Sequence, residues 1–504
     1  MKYSRASAAL VATTLVSYVA ATVTMNIARG PKLNRHSLAA RGPITAVLRN
    51  SNTGSYFVEV SVGSPGQKQT MILDTGSSDV WLLSSTADLC TDPRRDGCTS
   101  TFDHSNSSTY KVDKEGGFNI SYVDKSGASG DYIWDDFQID GATIKTLEMG
   151  LANKTTIGTG IIGIGYSMNE ASDSSNSAAP FLYPSIIENL FSQGLIARKA
   201  YSLYLNDLDA STGSIIFGGI DADKYHGDLF QMPVVPSHFQ NGSSVYLDLG
   251  VALTSFGITG QYGNTLNLTS TGFNEVGILD SGTTETYLPT SLVAKMYKGI
   301  GAIDDSNRTG NVYIDCDIKK QSPDLTINYG FGGPSGLSIA IPIHELVFDI
   351  QDFLANPHTK LPTLPFSKPC GFGIYDGGHT GPYLLGDTFV RSAYVVYDLE
   401  ANVIAMAQTN FNSSSSCVVE FQANATGMPM VSGIPTVMKL AEVGSENNGG
   451  GNETDSVTGI VATDTVGVLT GSTSVPPKTT AAATTVTMTS ARSSTTSQSQ
   501  KATA

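Results

Sequence analysis

The chain has 504 residues, of which 40% are apolar, enough to build a large core, while only 15% are charged. Its formal net charge is −15 at pH 7, which argues against nucleic acid as a partner. The same charge fits an acidic medium, in which carboxylates lose part of their mutual repulsion. The 52 glycines, with abundant serine and threonine, favour a β-rich extracellular protein over a helical cytosolic one.

The N-terminal 44 residues are typical of an exported precursor. Lys2 and Arg5 precede a mostly small and apolar run, which predicts a signal peptide over residues 1–21. A membrane anchor is less favoured, because the run is short and rich in alanine and threonine. Residues 22–44 carry basic but no acidic side chains, which predicts a prosegment that covers a cleft of the acidic protein electrostatically. A leader with no such role is the alternative.

From Tyr56 the pattern becomes one of short strands. Apolar and polar residues alternate over 57–62, a Gly-Ser-Pro-Gly turn follows, and the next strand ends at Asp74. Similar runs continue to about residue 410, and only Ser185–Gln193 and Ser291–Ile300 indicate longer helices. The fold class is therefore predicted to be all-β with minor helices.

One short motif occurs twice, once in each half of the chain. An isolated Asp-Thr-Gly turn is weak evidence, because Asp and Gly are ordinary turn residues. Two copies, each after an apolar run and before hydroxyl side chains, indicate two halves of one active site; two unrelated β-turns are the alternative. The copies are Asp74-Thr75-Gly76-Ser77 and Asp280-Ser281-Gly282-Thr283.

These residue types suit acid–base chemistry. Two carboxylates a few ångströms apart share one proton, because the charge of one raises the pKa of the other. The ionised member can take a proton from water, while the protonated member polarises a carbonyl. Thr75 and Ser281 can hydrogen-bond across the pair. Ser77 and Thr283 can orient the carboxylates, and the glycines allow a close approach.

The repeat extends beyond the aspartates. Each is followed by an apolar-apolar-Gly stretch, Ile161-Ile162-Gly163 in the first half and Leu384-Leu385-Gly386 in the second. Two related β lobes would place both aspartates at the base of a cleft between them. We predict an N-terminal lobe over residues 45–235 and a C-terminal lobe over residues 236–425.

With these motifs, residues 45–412 resemble the pepsin-type aspartic proteases, and within that family the secreted candidapepsins and yapsins of fungi. Further similar stretches lie at residues 63–67, 201–205 and 213–219. The resemblance implies a bilobed double-barrel fold with pseudo-two-fold symmetry. It also implies a monomeric endopeptidase that cleaves proteins or peptides at acidic pH, using Asp74 and Asp280 to activate water, with no metal or other cofactor.

The resemblance also implies a mobile hairpin, the flap, over the cleft. Its first strand would be Phe118–Tyr122 and its return would begin at Ser129, with Tyr122 as the flap tyrosine supported by Trp81. Either aromatic residue alone could be an ordinary core residue. The implied substrate-binding residues are Gly76, Tyr122, Asp124, Ser126, Gly282, Thr283 and Thr284.

The flap departs from the family pattern at two positions. Val123 and Lys125 stand where the family usually has glycine. We expect the lysine to place a positive charge over the cleft and to favour acidic substrate residues, unless it points to solvent. The altered flap also keeps a second hypothesis open, a non-catalytic protein that binds peptide or cell-wall material. No HExxH spacing or supported Gly-x-Ser-x-Gly elbow favours another hydrolase class.

The five cysteines agree with export. Sequence alone permits several pairings; the resemblance implies one disulfide in each lobe, Cys90–Cys98 and Cys316–Cys370. Cys417 is left over, as a free thiol, a partner in an intermolecular bridge or a buried inert thiol.

The remaining predictions concern glycosylation and location. Residues 426–504 are predicted to be a disordered, O-glycosylated tail, and the polar C-terminus does not support a lipid anchor. We therefore expect a protein secreted into the medium or held in the cell wall. Asn119 is a less certain sequon because it lies in the presumed flap strand. The predicted glycosylation sites are Asn106, Asn153, Asn241, Asn267, Asn307, Asn412, Asn424 and Asn452.

Overall fold

A computed structural model gives the fold. It describes residues 23–29, 55–94, 97–173, 180–210, 212–238, 243–350, 361–422, 427–428 and 431–433. The predicted signal peptide and nearly all of the predicted tail lie outside these ranges. No helix within them is both long and apolar enough to cross a membrane.

Strands dominate both halves of the chain. Those of the first half are β1 (Val23–Arg29), β2 (Tyr56–Val62), β3 (Gln67–Asp74), β4 (Val80–Leu83), β5 (Lys111–Ser121), β6 (Gly127–Ile139), β7 (Ala142–Thr155), β8 (Gly160–Gly163), β9 (Ala200–Tyr204), β10 (Thr212–Phe217), β11 (Gly219–Asp221) and β12 (Tyr225–Pro233). Those of the second half are β13 (Ser237–His238), β14 (Ser244–Val245), β15 (Gly250–Thr259), β16 (Thr265–Asn267), β17 (Glu275–Leu279), β18 (Thr286–Leu288), β19 (Ile303–Asp304), β20 (Val312–Asp315), β21 (Thr326–Phe331), β22 (Leu337–Pro342), β23 (Val347–Asp349), β24 (Pro369–Phe372), β25 (Ile374–Asp376), β26 (Tyr383–Leu385), β27 (Ala393–Asp398), β28 (Val403–Thr409), β29 (Val418–Glu420) and β30 (Val431–Gly433).

Helices are short. The α-helices are α1 (Asp88–Thr91), α2 (Ile186–Ser192), α3 (Thr290–Ile300), α4 (Ser306–Thr309), α5 (Ile318–Gln321) and α6 (Asp387–Val390). The 3-10 helices span His104–Asn106, Ser167–Asn169, Ala171–Asp173, Ala222–Lys224 and Ile343–Glu345.

The two helices expected from the sequence, α2 and α3, are confirmed, and local chemistry explains their ends. Ser185 caps α2: its side chain accepts from the Glu188 amide, and the Glu188 side chain accepts from the Ser185 amide. Helix α3 follows Pro289 and ends at Gly301, whose φ of 76° is a left-handed conformation that glycine adopts readily.

The predicted repeat is visible in the strand pairing. In the first half, β8 lies between β3 and β4, parallel to the former and antiparallel to the latter. In the second half, β26 lies in the same way between β17 and β18. The aspartate of each motif therefore lies at the end of the first strand of the same three-strand arrangement. The predicted all-β, bilobed fold class is confirmed.

Strands from both halves share one large sheet. β27 and β28, which the sequence assigns to the second lobe, pair with β9 and β12 of the first. The C-terminal half also forms its own sheet, in which β15 pairs with β16, β17 and β21. The exact lobe boundaries stay a prediction.

The described part of the predicted prosegment is a strand of that shared sheet. β1 pairs antiparallel with β10, from Val23 opposite Phe217 to Ala28 opposite Thr212, and it also pairs with β2. This pairing places residues 23–29 in the sheet. That the basic segment covers the cleft electrostatically stays a prediction. Residues 30–44 lie outside the described ranges.

Both disulfides join the cysteines that the resemblance implies. Cys90 bonds to Cys98 and Cys316 bonds to Cys370, with sequence separations of 8 and 54. Cys417 is a free and exposed thiol, which excludes the buried alternative.

We expect the two disulfides to differ in their effect on stability. The Cys316–Cys370 bridge closes the longer loop, so the chain-entropy relation predicts that its loss costs roughly 1.5 to 2 kcal/mol more. The measurement compares the free energy of unfolding of Cys316→Ser/Cys370→Ser with that of Cys90→Ser/Cys98→Ser. An equal cost, or a larger cost for the short loop, would contradict the expectation.

Predicted glycosylation sites within the described ranges lie on the surface. Asn106, Asn119, Asn153, Asn267, Asn307 and Asn412 are all exposed. Exposure is necessary for modification, and use of these sites stays a prediction. Asn241, Asn424 and Asn452 lie outside the described residues.

Candidate active site

The two repeated aspartates are buried and held in equivalent ways. Asp74 ends β3 and Asp280 follows β17, and their relative exposures are only 5% and 8%. The Gly76 amide donates to Asp74 Oδ1 at 2.8 Å, and the Gly282 amide donates to Asp280 Oδ1 at 2.8 Å. The second oxygen of each carboxyl accepts a side-chain hydroxyl, from Ser77 and from Thr283 respectively. The turns therefore fix the orientation of both carboxyl groups.

Glycine at 76 and 282 lets the two turns face each other. A Cβ atom built on Gly76 would stand 2.5 Å from Asp280 Oδ1, and one on Gly282 would collide in the same way with Asp74 Oδ1. Any larger residue would push the opposite carboxyl group away. The geometry thus explains why both copies of the motif contain glycine at the same place.

Thr75 and Ser281 brace the two halves against each other. The Ser281 amide donates to Thr75 Oγ1 at 2.9 Å, and the Thr75 amide donates to Ser281 Oγ at 3.2 Å. Their hydroxyls donate to the Leu279 and Leu73 carbonyls at 2.7 Å and 2.9 Å. Because each residue uses both its amide and its hydroxyl across the interface, the separation of the aspartates is fixed by a four-bond brace.

The electrostatics follow from burial and from the proximity of the two charges. Burial, followed by the negative charge of Asp280, raises the pKa of Asp74 to about 8. The hydrogen bonds from Ser77 and Gly76 oppose this rise without cancelling it. In acidic solution the pair therefore retains a proton, which is the state that acid–base catalysis by two carboxyls requires.

The apolar-apolar-Gly stretches support the turns from behind. The Ile164 amide donates to the Asp74 carbonyl at 3.0 Å, and the Asp280 amide donates to the Leu385 carbonyl at 3.1 Å. A Cβ on Gly163 would meet the Ser78 backbone at 2.6 Å, so glycine is required for this contact. Thr284, predicted to contact substrate, is buried, and its carbonyl accepts from the Thr388 amide at 3.2 Å.

The predicted flap hairpin is present. β5 and β6 pair along their length and join through a turn at residues 122–126. Trp81 Nε1 donates to the Tyr122 hydroxyl at 2.9 Å, the support that the resemblance implied. Trp81 is fully buried. Burial is the main cause that raises the pKa of Tyr122, and the negative charge of Asp74 is the next. The tyrosine ring therefore extends from the hairpin towards the dyad.

The flap tip carries the two residues that depart from the family pattern. Lys125 has a φ of 70°, a left-handed conformation that disfavours side-chain-bearing residues, and Val123 is 91% exposed. Asp124 Oδ1 accepts from the amide and hydroxyl of Ser126, so this carboxylate stabilises the turn. Lys125 is exposed, and its predicted effect on substrate choice stays a prediction.

Comparison with known proteins decides the family. The profile described as eukaryotic aspartyl protease matches residues 55–409. The chain belongs to this family. It is 36% identical over 376 residues to a probable aspartic-type endopeptidase, opsB, of Aspergillus oryzae, which covers 74% of this chain and 72% of that protein. It is 34% identical over 380 residues to candidapepsin of Candida tropicalis, covering 74% and 84%.

A solved structure agrees with the fold of this aspartyl protease. The crystal structure of an aspartic proteinase from Irpex lacteus superimposes with a TM-score of 0.55 at 21% sequence identity. The match covers 79% of this chain and 100% of that one. The solved structure thus agrees with the fold. The family profile and the similar fungal proteins confirm the fungal family and the endopeptidase class expected from the sequence.

The sequence motifs of this protease do not predict a third carboxyl group, which lies beside Asp280. Asp248 is half-buried, and its pKa is raised by burial and then by the charge of Asp280. No motif surrounds it. The available signal is a single acidic residue in the otherwise apolar stretch Tyr246–Leu249, just before the second copy of the repeat. No cluster of three or more His, Cys, Asp or Glu suited to a metal ion occurs among the described residues.

Proposed function

We propose that the protein is a secreted endopeptidase that cleaves peptide bonds at acidic pH through the Asp74–Asp280 dyad. The facing, cross-braced pair of buried carboxyls supports this proposal most strongly. A water between them loses a proton to the ionised carboxylate, and its oxygen adds to the scissile carbonyl carbon. The protonated carboxyl donates to the carbonyl oxygen in the same step.

The resulting tetrahedral diol then breaks down within the same pair. One carboxyl donates its proton to the peptide nitrogen, one hydroxyl of the diol gives its proton to the other carboxylate, and the C–N bond breaks. The products are a carboxylic acid and an amine, and the pair again holds a single proton. No covalent acyl-enzyme forms, and neither a metal nor an organic cofactor takes part. The raised pKa of Asp74 supports the presence of that proton under acidic conditions.

The surrounding residues have proposed roles in holding the peptide. An extended substrate would lie beneath the flap, with Tyr122 above the dyad and Trp81 fixing the tyrosine hydroxyl. Thr75 and Ser281 keep the aspartates at a constant separation, and Ser77 orients Asp74. The proposed substrate contacts are Gly76, Tyr122, Asp124, Ser126, Gly282, Thr283 and Thr284.

The proposed location is outside the cell, in the medium or in the cell wall. One similar protein, 33% identical over 385 residues, is named secreted aspartic protease 8 of Candida albicans. The acidic net charge and the two disulfides fit an oxidising, acidic exterior. We propose that the enzyme acts there as a monomer.

Cleavage-site profiling tests this function. The secreted protein is incubated with a peptide library between pH 3 and pH 8, roughly the range over which such a dyad changes protonation. We expect internal cleavage that is strongest at acidic pH and is blocked by a statine-type transition-state mimic. Peptide binding without cleavage at any pH would instead favour the non-catalytic hypothesis.

A further inference from the structure

The strand that leads into the flap tip carries a sequon on its exposed face. Asn119, Ile120 and Ser121 of β5 form an Asn-x-Ser sequence without proline at the middle position. Successive side chains of a strand point to opposite faces of the sheet. Phe118 and Ile120 are 0% and 7% exposed and pack in the cluster around Trp81. Asn119 and Ser121, which alternate with them, are exposed, so both lie on the outer face of the flap.

The outer face has room for an oligosaccharide at this point. The cross-strand partner of Asn119 on β6 is Ser129, and that of Ser121 is Gly127, so both neighbours are small. β5 is the last strand of the large sheet in the described part of the chain, so no strand flanks Asn119 on its other side there. The strand pairing therefore places no large side chain directly opposite the acceptor nitrogen.

The side-chain amide of Asn119 is not used by the fold. Two other sequon asparagines use theirs: Asn106 Nδ2 donates to Asp103 at 2.8 Å, and Asn153 Nδ2 donates to Asp131 at 3.4 Å. Asn119 Nδ2 makes no hydrogen bond with any of the described residues. Glycosylation removes one N–H of the acceptor amide, so at Asn119 it breaks no contact that the described structure makes.

Asn119 is close to the flap tip, on the side that faces away from the dyad. Tyr122 is three positions further along (122 − 119), about 10 Å along the strand. An odd separation places it on the opposite, inner face, where its hydroxyl accepts from Trp81 Nε1 at 2.9 Å. A glycan at Asn119 would thus cover the outside of the flap and leave the face that meets the peptide free.

We propose that Asn119 carries an N-linked oligosaccharide, and that this glycan hinders the approach of folded proteins to the cleft while it admits extended peptides. Nδ2 forms a bond to the anomeric carbon of the first N-acetylglucosamine and loses one proton. The lipid diphosphate of the lipid-linked oligosaccharide donor is the leaving group.

The steric role follows from the bulk of the glycan and from the face that it occupies. N-linked glycans are large and hydrated. An extended peptide passes beneath the flap, on the side opposite to Asn119, and does not meet the glycan. A folded protein that offers one loop to the dyad must also bring its surface against the outside of the flap. This substrate class, extended rather than folded polypeptides, rests on the proposed endopeptidase function.

Site mapping tests the modification itself. The protein secreted by a fungal host is treated with a peptide N-glycosidase, which converts a glycosylated asparagine to aspartate, and is then digested for mass spectrometry. We expect this conversion at position 119 in the wild type and in Ser121→Thr, which keeps the sequon. It should be absent in Ser121→Ala, which removes the sequon. An unconverted Asn119 in the secreted wild-type protein overturns the inference.

Matched substrates test the steric role. One cleavable sequence is offered as a free peptide and as an exposed loop of a folded host protein, and kcat/KM is measured for both. Asn119→Gln and Ser121→Ala should raise kcat/KM for the loop by roughly fivefold or more and change that for the peptide by less than about twofold. Asn307→Gln, which removes a predicted sequon on α4 in the second half, is the matched control and should change neither.

Two outcomes of the kinetics contradict the proposal: no gain on the loop, or an equal gain on the loop and the free peptide. Cleavage of the free peptide that disappears in Asp74→Asn reports on the dyad alone. If the wild-type enzyme cleaves no peptide at all, the proposed function fails, and site mapping still decides whether Asn119 is modified. The two failures can therefore be told apart.

Discussion

Asp74→Asn and Asp280→Asn should each reduce kcat by at least roughly 10³-fold, because either change removes one of the two groups that exchange protons with water and the scissile carbonyl. The amide side chain has nearly the shape of the carboxyl group. One oxygen can still accept from the Gly76 or Gly282 amide, so the turn is retained. Steady-state kinetics on one peptide at acidic pH gives the measurement.

Circular dichroism and thermal unfolding show whether each variant keeps the fold. We expect the unfolding midpoint to stay close to the wild-type value or to rise, since a partly charged buried group is replaced by a neutral one. Asp324→Asn, an exposed change in the second half, is the matched control and should retain full activity. Substantial turnover by either dyad variant would refute the proposed mechanism.

The dyad could be predicted from sequence because its chemistry is local and repeated. Gly76 and Gly282 are required by the close approach of the opposite aspartate, and Thr75 and Ser281 brace the turns with their own hydroxyls. Each requirement falls within a few residues of an aspartate. The residue types of the motif therefore determine most of the geometry of the site.

Long-range pairing left no comparable signal. β27 and β28 pair with strands that lie 170 to 198 residues earlier in the chain (403 − 233 and 398 − 200). β1, from the predicted prosegment, joins the same sheet. Neither partner can be recognised from alternation alone, because alternation specifies a buried face and not the neighbouring strand.

Buried single carboxyls were missed for a related reason. Asp248 and Glu170 each occur once, without a repeated motif, and their burial is decided by segments distant in sequence. An acidic residue is ordinarily expected at the surface, so only the packed structure shows that these two groups are desolvated.

Glu170 lies together with another buried carboxyl, that of Asp79, next to the base of the flap. The relative exposures of Asp79 and Glu170 are 1% and 3%. Asp79 accepts from the Tyr183 hydroxyl at 2.7 Å and from the Ala171 amide at 2.8 Å. Glu170 Oε2 accepts from the Tyr183 amide at 3.4 Å, whereas Oε1 has no hydrogen-bond partner among the described residues. The ionised form of Glu170 is therefore poorly compensated by hydrogen bonds.

Burial is the main cause of the raised pKa of both groups. It raises the pKa of Asp79, and, with the charge of Asp79 as the next cause, it raises the pKa of Glu170 to about 10. The other charged groups that act on Glu170 are Glu188 and Glu148, which are also acidic. None of the charged groups that act on the pKa of Glu170 is a cation.

The sign of the pH effect follows from these shifts. The ordinary pKa of a glutamate is 4.5, so above that pH the unfolded chain releases a proton that folded Glu170 keeps. The contribution of folded Glu170 to the free energy of unfolding is fully present below about pH 4.5. It is lost progressively as the pH rises to the pKa of the folded state. At pH 7 the loss from Glu170 alone is about 3 kcal/mol.

Glu170→Gln should therefore stabilise the protein at neutral pH far more than at acidic pH, because glutamine keeps the shape of the protonated acid and has no charge to desolvate. We expect its unfolding midpoint to exceed that of the wild type by several degrees at pH 7 and by little at pH 4. Glu59→Gln on the exposed face of β2 is the matched control and should shift neither value. If Glu170→Gln gives the same shift at both pH values, burial of an ionising carboxyl is not what weakens the fold at neutral pH.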